Sequence, residues 1–156
     1  MNSRSAAIGR LLDEHPKAFF LLSNGLTARE GAHFHRKSRC FYMLHAMGET
    51  LAVGVGLAQA RPDLQVVVIE GEGNALMGLS SWSLMPVLNL TYYVLDNGVY
   101  ETTGGQPVPQ FPAIPSWCNI VRIERGVAGA PNPPAPEVIL AACQHWLAMP
   151  PTDGDS

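Results

Sequence analysis

The chain has 156 residues, of which 47% are hydrophobic and 15% charged, and a formal net charge of −3. This length and composition predict a single globular domain over residues 1–150, and the absence of a basic stripe excludes a nucleic-acid-binding surface. No apolar run approaches the roughly 20 residues that span a bilayer, so we expect no membrane segment. Three cysteines without metal or redox spacing predict reduced thiols in a cytoplasmic protein.

Helix and strand patterns alternate along the chain. The spacing of Ile8, Leu11 and Leu12 predicts a short amphipathic helix at the N-terminus. Further helices are predicted at 27–35, 49–61, 75–85 and 137–148, and strands at 18–23, 41–44, 65–70, 90–96 and 119–124. The clearest strands are continuously apolar, which is typical of a sheet covered on both faces. The order of elements therefore predicts an α/β fold with a doubly wound, mostly parallel sheet, followed by a disordered tail at 151–156.

Two glycine-containing turns follow predicted strands. Gly71-Glu72-Gly73 comes directly after the strand at 65–70, and Asp96-Asn97-Gly98 ends the strand at 90–96. In a parallel sheet the carboxyl ends of the strands lie at one edge, where ligands bind. If the two strands are neighbours, carboxylate and amide oxygens meet there, and such oxygens suit Mg²⁺.

The segment after the first turn resembles a phosphate-binding helix start. Asn74 is predicted to be the N-cap of the helix at 75–85, whose free amides then point at a bridging phosphate. The dinucleotide fingerprint is excluded because Leu76 occupies the place of its third glycine, and the P-loop lysine is missing. The residues alone therefore predict a Mg²⁺–diphosphate site, although Gly-x-Gly before a helix is a common pattern.

The joined stretch "GEGNALMGLSSWSLMPVLNLTYYVLDNGVYETTGGQ" (71–106) resembles the thiamine diphosphate signature, in which Gly-Asp-Gly precedes an Asn or Asp-Asn pair. The similarity continues upstream through "SNGLTARE" and "FYMLHAMGETLAVGVGLAQARPD". These stretches are similar to the diphosphate-binding domain of the sulfopyruvate and phosphonopyruvate decarboxylases. The likeness covers most of residues 18–106, and the last 50 residues match loosely.

The resemblance implies a set of site residues. Glu72, Asn97 and the backbone carbonyl of Val99 correspond to the metal ligands. Met47, 25 positions before Glu72, corresponds to the bulky residue that bends the cofactor. The implied residues for binding thiamine diphosphate are Met47, Gly71, Glu72, Gly73, Asn74, Ala75, Asn97, Val99, Tyr100 and Thr103.

The resemblance also implies a function. The chain is expected to be the small, beta-type subunit of a decarboxylase that uses thiamine diphosphate and Mg²⁺ to act on a small 2-oxo acid. A separate alpha-type, pyrimidine-binding subunit would supply the activating glutamate, in a hetero-oligomer of paired chains. Two alternatives remain open. One is a carboligating enzyme similar to acetolactate synthase, and the other is a non-catalytic scaffold subunit that has lost its cofactor.

Two positions depart from the family pattern. Glu72 stands where the signature has aspartate, so the carboxylate carries one extra methylene in a site where Mg²⁺ demands near-octahedral geometry. His45 begins the tetrapeptide His45-Ala46-Met47-Gly48, where the family has Gly-Ser-Met-Gly. An imidazole beside the cofactor suits proton transfer, which makes His45 the candidate catalytic residue; the alternative is a histidine that fills space.

Overall fold

A computed structural model describes residues 3–126 and 129–149, so the tail predicted at 151–156 lies outside the described residues. Seven strands are present in these two ranges: β1 (Phe19–Leu22), β2 (Cys40–Tyr42), β3 (Val66–Gly71), β4 (Leu90–Asp96), β5 (Val99–Tyr100), β6 (Gln106–Pro107) and β7 (Cys118–Arg122). Five of them form one sheet in the order β2-β1-β3-β4-β7, and every pairing in it is parallel. The short strands β5 and β6 pair antiparallel beside it. The predicted parallel α/β sheet is confirmed.

The helices of the described residues are α1 (Arg4–Glu14), α2 (Leu26–Phe34), α3 (Thr50–Ala60), α4 (Glu72–Met77) and α5 (Pro136–Ala148), with 3-10 helices at Leu79–Leu84 and Glu101–Thr103. The amphipathic pattern of the first helix is confirmed, because Ile8, Leu11 and Leu12 are all buried. None of the helices in the described ranges combines the length and apolar character that a membrane span requires.

Helices pack on both faces of the sheet. A Cβ added to Gly31 of α2 would lie 2.3 Å from the Leu22 side chain, and one added to Gly54 of α3 would lie 2.4 Å from Val68. Leu22 pairs with Ile69, so Val68 points to the opposite face, since side chains alternate along a strand. The two helices therefore cover opposite faces, with tight backbone approaches at both glycines.

The helix predicted at 75–85 is wrong in its bounds. The helix α4 begins at Glu72 with Gly71 as its N-cap, not Asn74, and it ends after six residues. A 3-10 helix then covers Leu79–Leu84, in which the Ser83 hydroxyl donates to the Ser80 carbonyl at 2.8 Å. Such local side-chain bonds compete with α-helical bonds. Asn74 does not cap because its side chain bonds to two other loops.

Candidate functional site

A cavity of about 160 Å³ lies where β1, β3 and β4 end. The chain runs from β1 to β2 on one side and then returns past β1 to β3, so this edge is the switch point at which ligands bind in open α/β sheets. The cavity is lined by the start of α1, the segment from β1 into α2, the loop before α3, the segment from β3 into α4, and the segment from the end of β4 through β5 into the following 3-10 helix. The lining residues are Arg4, Asn24, Gly25, Leu26, Thr27, Met47, Gly71, Glu72, Gly73, Asn74, Leu95, Asn97, Val99, Tyr100, Glu101 and Thr102.

The turns after β3 and β4 lie side by side in this cavity. The two strands are paired neighbours, with Gly71 opposite Leu95. The Asn97 backbone N–H donates to Glu72 Oε1 at 3.2 Å. Burial raises the pKa of Glu72 above its ordinary value, and backbone N–H groups, including that of Asn97, oppose the rise. The structure thus brings the predicted carboxylate and amide residues together.

The side-chain amide of Asn97 is held at both ends. Its Nδ2 donates to Glu101 Oε2 at 2.7 Å, and its Oδ1 accepts from the Val99 N–H at 2.9 Å. Asn97 follows the β4 strand directly, so the sheet fixes its backbone while these two bonds fix its side chain. Because an amide oxygen has two lone pairs, Oδ1 retains one for a cation.

Asn74 of α4 lines the cavity and bonds to two loops. Its Oδ1 accepts from the Gly48 N–H at 3.1 Å, and its Nδ2 donates to the Asn24 carbonyl at 3.3 Å. Gly48 has a positive φ of 82°, and a Cβ on it would meet the backbone of Gly78 at 2.9 Å. The loop that carries Met47 is therefore fixed against α4 by Asn74 and by close backbone packing.

The residues present fit a Mg²⁺–diphosphate group. A carboxylate, an amide oxygen and a backbone carbonyl form the oxygen donor set that Mg²⁺ prefers. Among the described residues no three His, Cys, Asp or Glu side chains cluster as a metal site. Two buried lining oxygens, Asn24 Oδ1 and Glu101 Oε1, have no hydrogen-bond partner. At Gly73 a Cβ would lie 2.8 Å from the Tyr100 ring, so a larger residue would displace that ring.

Three of the predicted site residues lie outside the cavity lining. His45 is exposed, Ala75 is fully buried in α4, and Thr103 is exposed in the 3-10 helix after β5. The other predicted residues line the cavity, with Met47 52% exposed at its rim.

Sequence reasoning missed Arg4, Asn24 and Glu101. Glu101 and Asn24 lie inside the stretches that carry the family resemblance, but no residue-type signal separated them from their neighbours. Arg4 is on the N-terminal helix, far along the chain from either motif, so no local pattern could have placed it at this cavity.

The family model described as thiamine pyrophosphate enzyme, C-terminal TPP binding domain, matches residues 23–122. The chain belongs to this family. Thiamine pyrophosphate is another name for thiamine diphosphate, so the resemblance drawn from the sequence motifs is confirmed. The matched range contains β2 to β7 and every residue that lines the cavity except Arg4.

Similar proteins include named decarboxylases. Phosphonopyruvate decarboxylase of Streptomyces hygroscopicus is 40% identical over 124 residues, which cover 74% of this chain and 31% of that protein. Sulfopyruvate decarboxylase subunit beta of Methanocaldococcus jannaschii is 35% identical over 103 residues, covering 64% of this chain and 54% of that subunit. The chain thus spans about a third to about half of the length of these relatives.

A solved structure supports the fold. A chain of 2-oxoglutarate:ferredoxin oxidoreductase from Magnetococcus marinus matches with a TM-score of 0.52 and 27% sequence identity, covering 89% of this chain and 47% of that chain. This likeness extends over nearly the whole of the described α/β domain.

Proposed function

We propose that this chain is the small subunit of a thiamine diphosphate- and Mg²⁺-dependent 2-oxo acid decarboxylase. The observation that carries the proposal is the meeting of Glu72 and Asn97 at the switch point, where the Asn97 N–H contacts the Glu72 carboxylate at 3.2 Å. The resemblance implies that these two residues are the metal ligands of the signature, and the chain belongs to that family. The decarboxylases among its relatives support the reaction class.

The residues divide the work of binding. Glu72, Asn97 Oδ1 and the Val99 carbonyl would hold Mg²⁺, and Gly73 and Asn74 would hold the diphosphate. Met47, fixed by the Gly48–Asn74 bond, would support the ring junction. When bound, thiamine diphosphate supplies the electron sink for loss of CO₂, and the protein supplies orientation and exclusion of water.

A separate pyrimidine-binding subunit is part of the proposal. Met47 and Met77 are 52% and 57% exposed, and Met77 lies against Gly48, the residue that follows Met47. Exposed apolar side chains beside a site favour a protein partner that covers it. One relative is itself named a beta subunit. We propose an alpha-type partner that closes the cavity and contributes the activating glutamate, in a hetero-oligomer of paired chains.

Calorimetry tests this function. Two samples are titrated with thiamine diphosphate in the presence and absence of Mg²⁺. One is the purified chain alone, and the other is the chain co-expressed with an alpha-type chain encoded beside it. Saturable, Mg²⁺-dependent binding that requires the partner is expected, followed by CO₂ release from a panel of 2-oxo acids. A stable complex without binding would contradict the proposal and favour a scaffold subunit, whereas product formation only with an added aldehyde would indicate a carboligase.

His45 is proposed as a proton-transfer group once the partner covers the cavity. It is exposed in this chain and lies two residues before Met47 on the same loop. In the complex, His45→Gln should lower turnover about 100-fold, within the range of general acid–base catalysis, while the affinity for thiamine diphosphate stays within twofold. A change in affinity without a change in turnover would instead indicate a packing role.

A further inference from the structure

Arg4 is a buried cation at the edge of the candidate site. It lies in the first turn of α1, is 5% exposed, and is the only basic side chain that the described residues bury. Its Nη1 donates to Glu30 Oε1 at 2.7 Å, and its Nη2 donates to Glu101 Oε2 at 2.5 Å. A buried guanidinium is tolerated when carboxylates satisfy it, and here they come from two distant elements.

Glu101 connects this arginine to the predicted metal ligand. The oxygen that accepts from Arg4, Oε2, also accepts from Asn97 Nδ2 at 2.7 Å. A carboxylate only accepts hydrogen bonds, so the end of the Asn97 amide that faces Glu101 must be its NH₂ group. The amide oxygen is thereby directed to the other side, where the Val99 N–H lies 2.9 Å away.

Charge in this cluster also favours a cation. Two carboxylates, Glu30 and Glu101, face one guanidinium, which leaves an excess of one negative charge. Glu101 Oε1 is buried without a hydrogen-bond partner, and Glu101 lines the cavity. An unpartnered buried carboxylate oxygen is costly, and a neighbouring cation lowers that cost.

We propose that Glu101 and Arg4 are positioning residues for the cation site. Glu101 sets the orientation of the Asn97 amide so that its oxygen is available to the metal, and Arg4 holds Glu101 in place from the N-terminal helix. The inference rests on the proposed function and extends it to a helix outside the family match, which begins at residue 23. The two residues act through Asn97 rather than on substrate.

The first test reads the amide itself and needs no ligand. In ¹⁵N–¹H spectra of the full chain, the Asn97 side-chain NH₂ pair is assigned by its loss in Asn97→Asp. Glu101→Gln should shift this pair and speed its exchange with water, because a glutamine can offer an NH₂ group in place of an oxygen. Glu30→Gln is the matched control, since it removes the same charge from the same arginine but does not contact Asn97. An unmoved pair in Glu101→Gln overturns the proposal.

The second test measures affinity in whichever form of the protein binds, alone or with its partner. Glu101→Gln should weaken Mg²⁺-dependent binding of thiamine diphosphate about tenfold, and Arg4→Lys about threefold, because an ammonium cannot bridge both carboxylates as the guanidinium fork does. Glu30→Gln should stay within threefold. Equal losses in the two glutamine variants would overturn positioning in favour of a general charge effect.

Failure of the two proposals is distinguishable. If the wild-type protein binds no thiamine diphosphate, alone or with its partner, the proposed function is overturned. The role of Glu101 in positioning a metal ligand is then overturned as well. Wild-type binding combined with an unmoved Asn97 resonance overturns the positioning role alone. Thermal unfolding midpoints of all variants show which of them remain folded, and Glu101→Asp, which keeps the charge, replaces Glu101→Gln if that variant does not fold.

Discussion

Two buried glutamates, Glu70 in β3 and Glu72 at the start of α4, differ in the groups that face them. Glu72 borders the cavity and accepts from the Asn97 backbone N–H at 3.2 Å. Glu70 is 1% exposed and accepts from the Tyr92 hydroxyl at 2.7 Å. Burial raises the pKa of Glu70 to about 7, and the Tyr92 hydroxyl opposes that rise. One carboxylate thus borders a cavity that a cation can enter, and the other is buried with the Tyr92 hydroxyl as its hydrogen-bond donor.

The Tyr92 ring, whose hydroxyl bonds to Glu70, belongs to an aromatic group. Trp82 packs edge-on against Tyr92, with ring centroids 6.4 Å apart, and edge-on against Trp117, with ring centroids 5.3 Å apart. Phe111 stacks on Trp82 at 5.4 Å. A group of this kind offers little to a charged carboxylate, so burial there costs free energy. The comparison teaches that residue type and position near a motif do not define a ligand; the groups that face the side chain do.

The largest expected effect is on cofactor binding at the cavity. Glu72→Gln keeps the shape of the side chain but removes its charge, and should weaken Mg²⁺-dependent binding of thiamine diphosphate at least about 100-fold, or roughly 3 kcal/mol. Glu70→Gln, the same change two residues earlier in the chain, should alter binding less than threefold. Calorimetry on both variants checks the contrast, and similar losses in the two would remove the distinction between the glutamates.

The second effect is on stability at Glu70. A folded-state pKa of about 7 against an ordinary 4.5 means that the folded protein binds a proton which the unfolded chain has already released. The free energy of unfolding therefore falls as pH rises from about 4.5 to about 7, by roughly 3 kcal/mol in total. Glu70→Gln stays neutral, so it should be more stable than the wild type by about 2–3 kcal/mol at pH 8 and about equal at pH 4.5.

Urea unfolding from pH 4.5 to pH 8 measures this difference. The histidines titrate in both proteins, so the informative quantity is the variant's free energy of unfolding minus that of the wild type at each pH. A difference that does not change with pH would show that the pKa of Glu70 is the same in the folded and unfolded states.

Much of this fold can be predicted from local pattern. The strands at 18–23, 65–70 and 90–96 coincide with β1, β3 and β4 within one residue at each end, because burial on both faces demands continuous apolar runs. The prediction of a helix at 75–85 was wrong because the helix ends at Met77, and this early end depends on nonlocal packing. A Cβ on Gly78 would lie 2.2 Å from the Gly48 carbonyl oxygen, a contact between segments 30 residues apart.

The candidate site divides in the same way. Glu72 and Asn97 could be placed together because each follows a parallel strand, and strand ends share an edge. Arg4 could not, since its bond to Glu101 joins residues 97 positions apart and neither residue type signals the other. Glu70 shows the converse limit: its sequence position beside the motif does not reveal that its partner is Tyr92.

A smaller effect on the free energy of unfolding is expected from removing the Tyr92 hydroxyl that donates to Glu70. Tyr92→Phe removes the hydrogen bond from a fully buried side chain and should cost about 1–3 kcal/mol at pH 8, where the carboxylate is ionised. It should also raise the pKa of Glu70 further, because the bond favours the charged form. In Tyr42→Phe, the matched control, the lost bond is from the Lys37 N–H at 3.1 Å, so its cost should be the same at pH 5 and pH 8. Equal pH dependence in both variants would contradict the Glu70–Tyr92 coupling.

The smallest effect returns to the rim of the cavity, which holds backbone strain. Ala46 is the only non-glycine residue of the described chain with a positive φ, at 61°, and it lies between His45 and Met47. A left-handed conformation costs a residue with a Cβ about 1–2 kcal/mol. Glycine avoids this cost, but part of the gain is offset because glycine loses more conformational entropy on folding. Ala46→Gly should therefore stabilise the fold by about 0.5–1 kcal/mol, whereas Ala52→Gly within α3 should destabilise it by about 1 kcal/mol.

Measuring the affinity for thiamine diphosphate tests whether the strained turn at Ala46 has a role in binding. If the left-handed turn holds Met47 in place, Ala46→Gly gains stability but loses two- to threefold in affinity for thiamine diphosphate, because a freer loop must be ordered on binding. Ala52→Gly, on the helix behind the loop, should lose stability and keep its affinity. If the two variants change stability in opposite directions and only Ala46→Gly loses affinity, the left-handed turn lowers stability but holds the binding loop in place. The same trade is not expected at Glu70. Unchanged affinity in Ala46→Gly would show that the strain is a local feature of the turn.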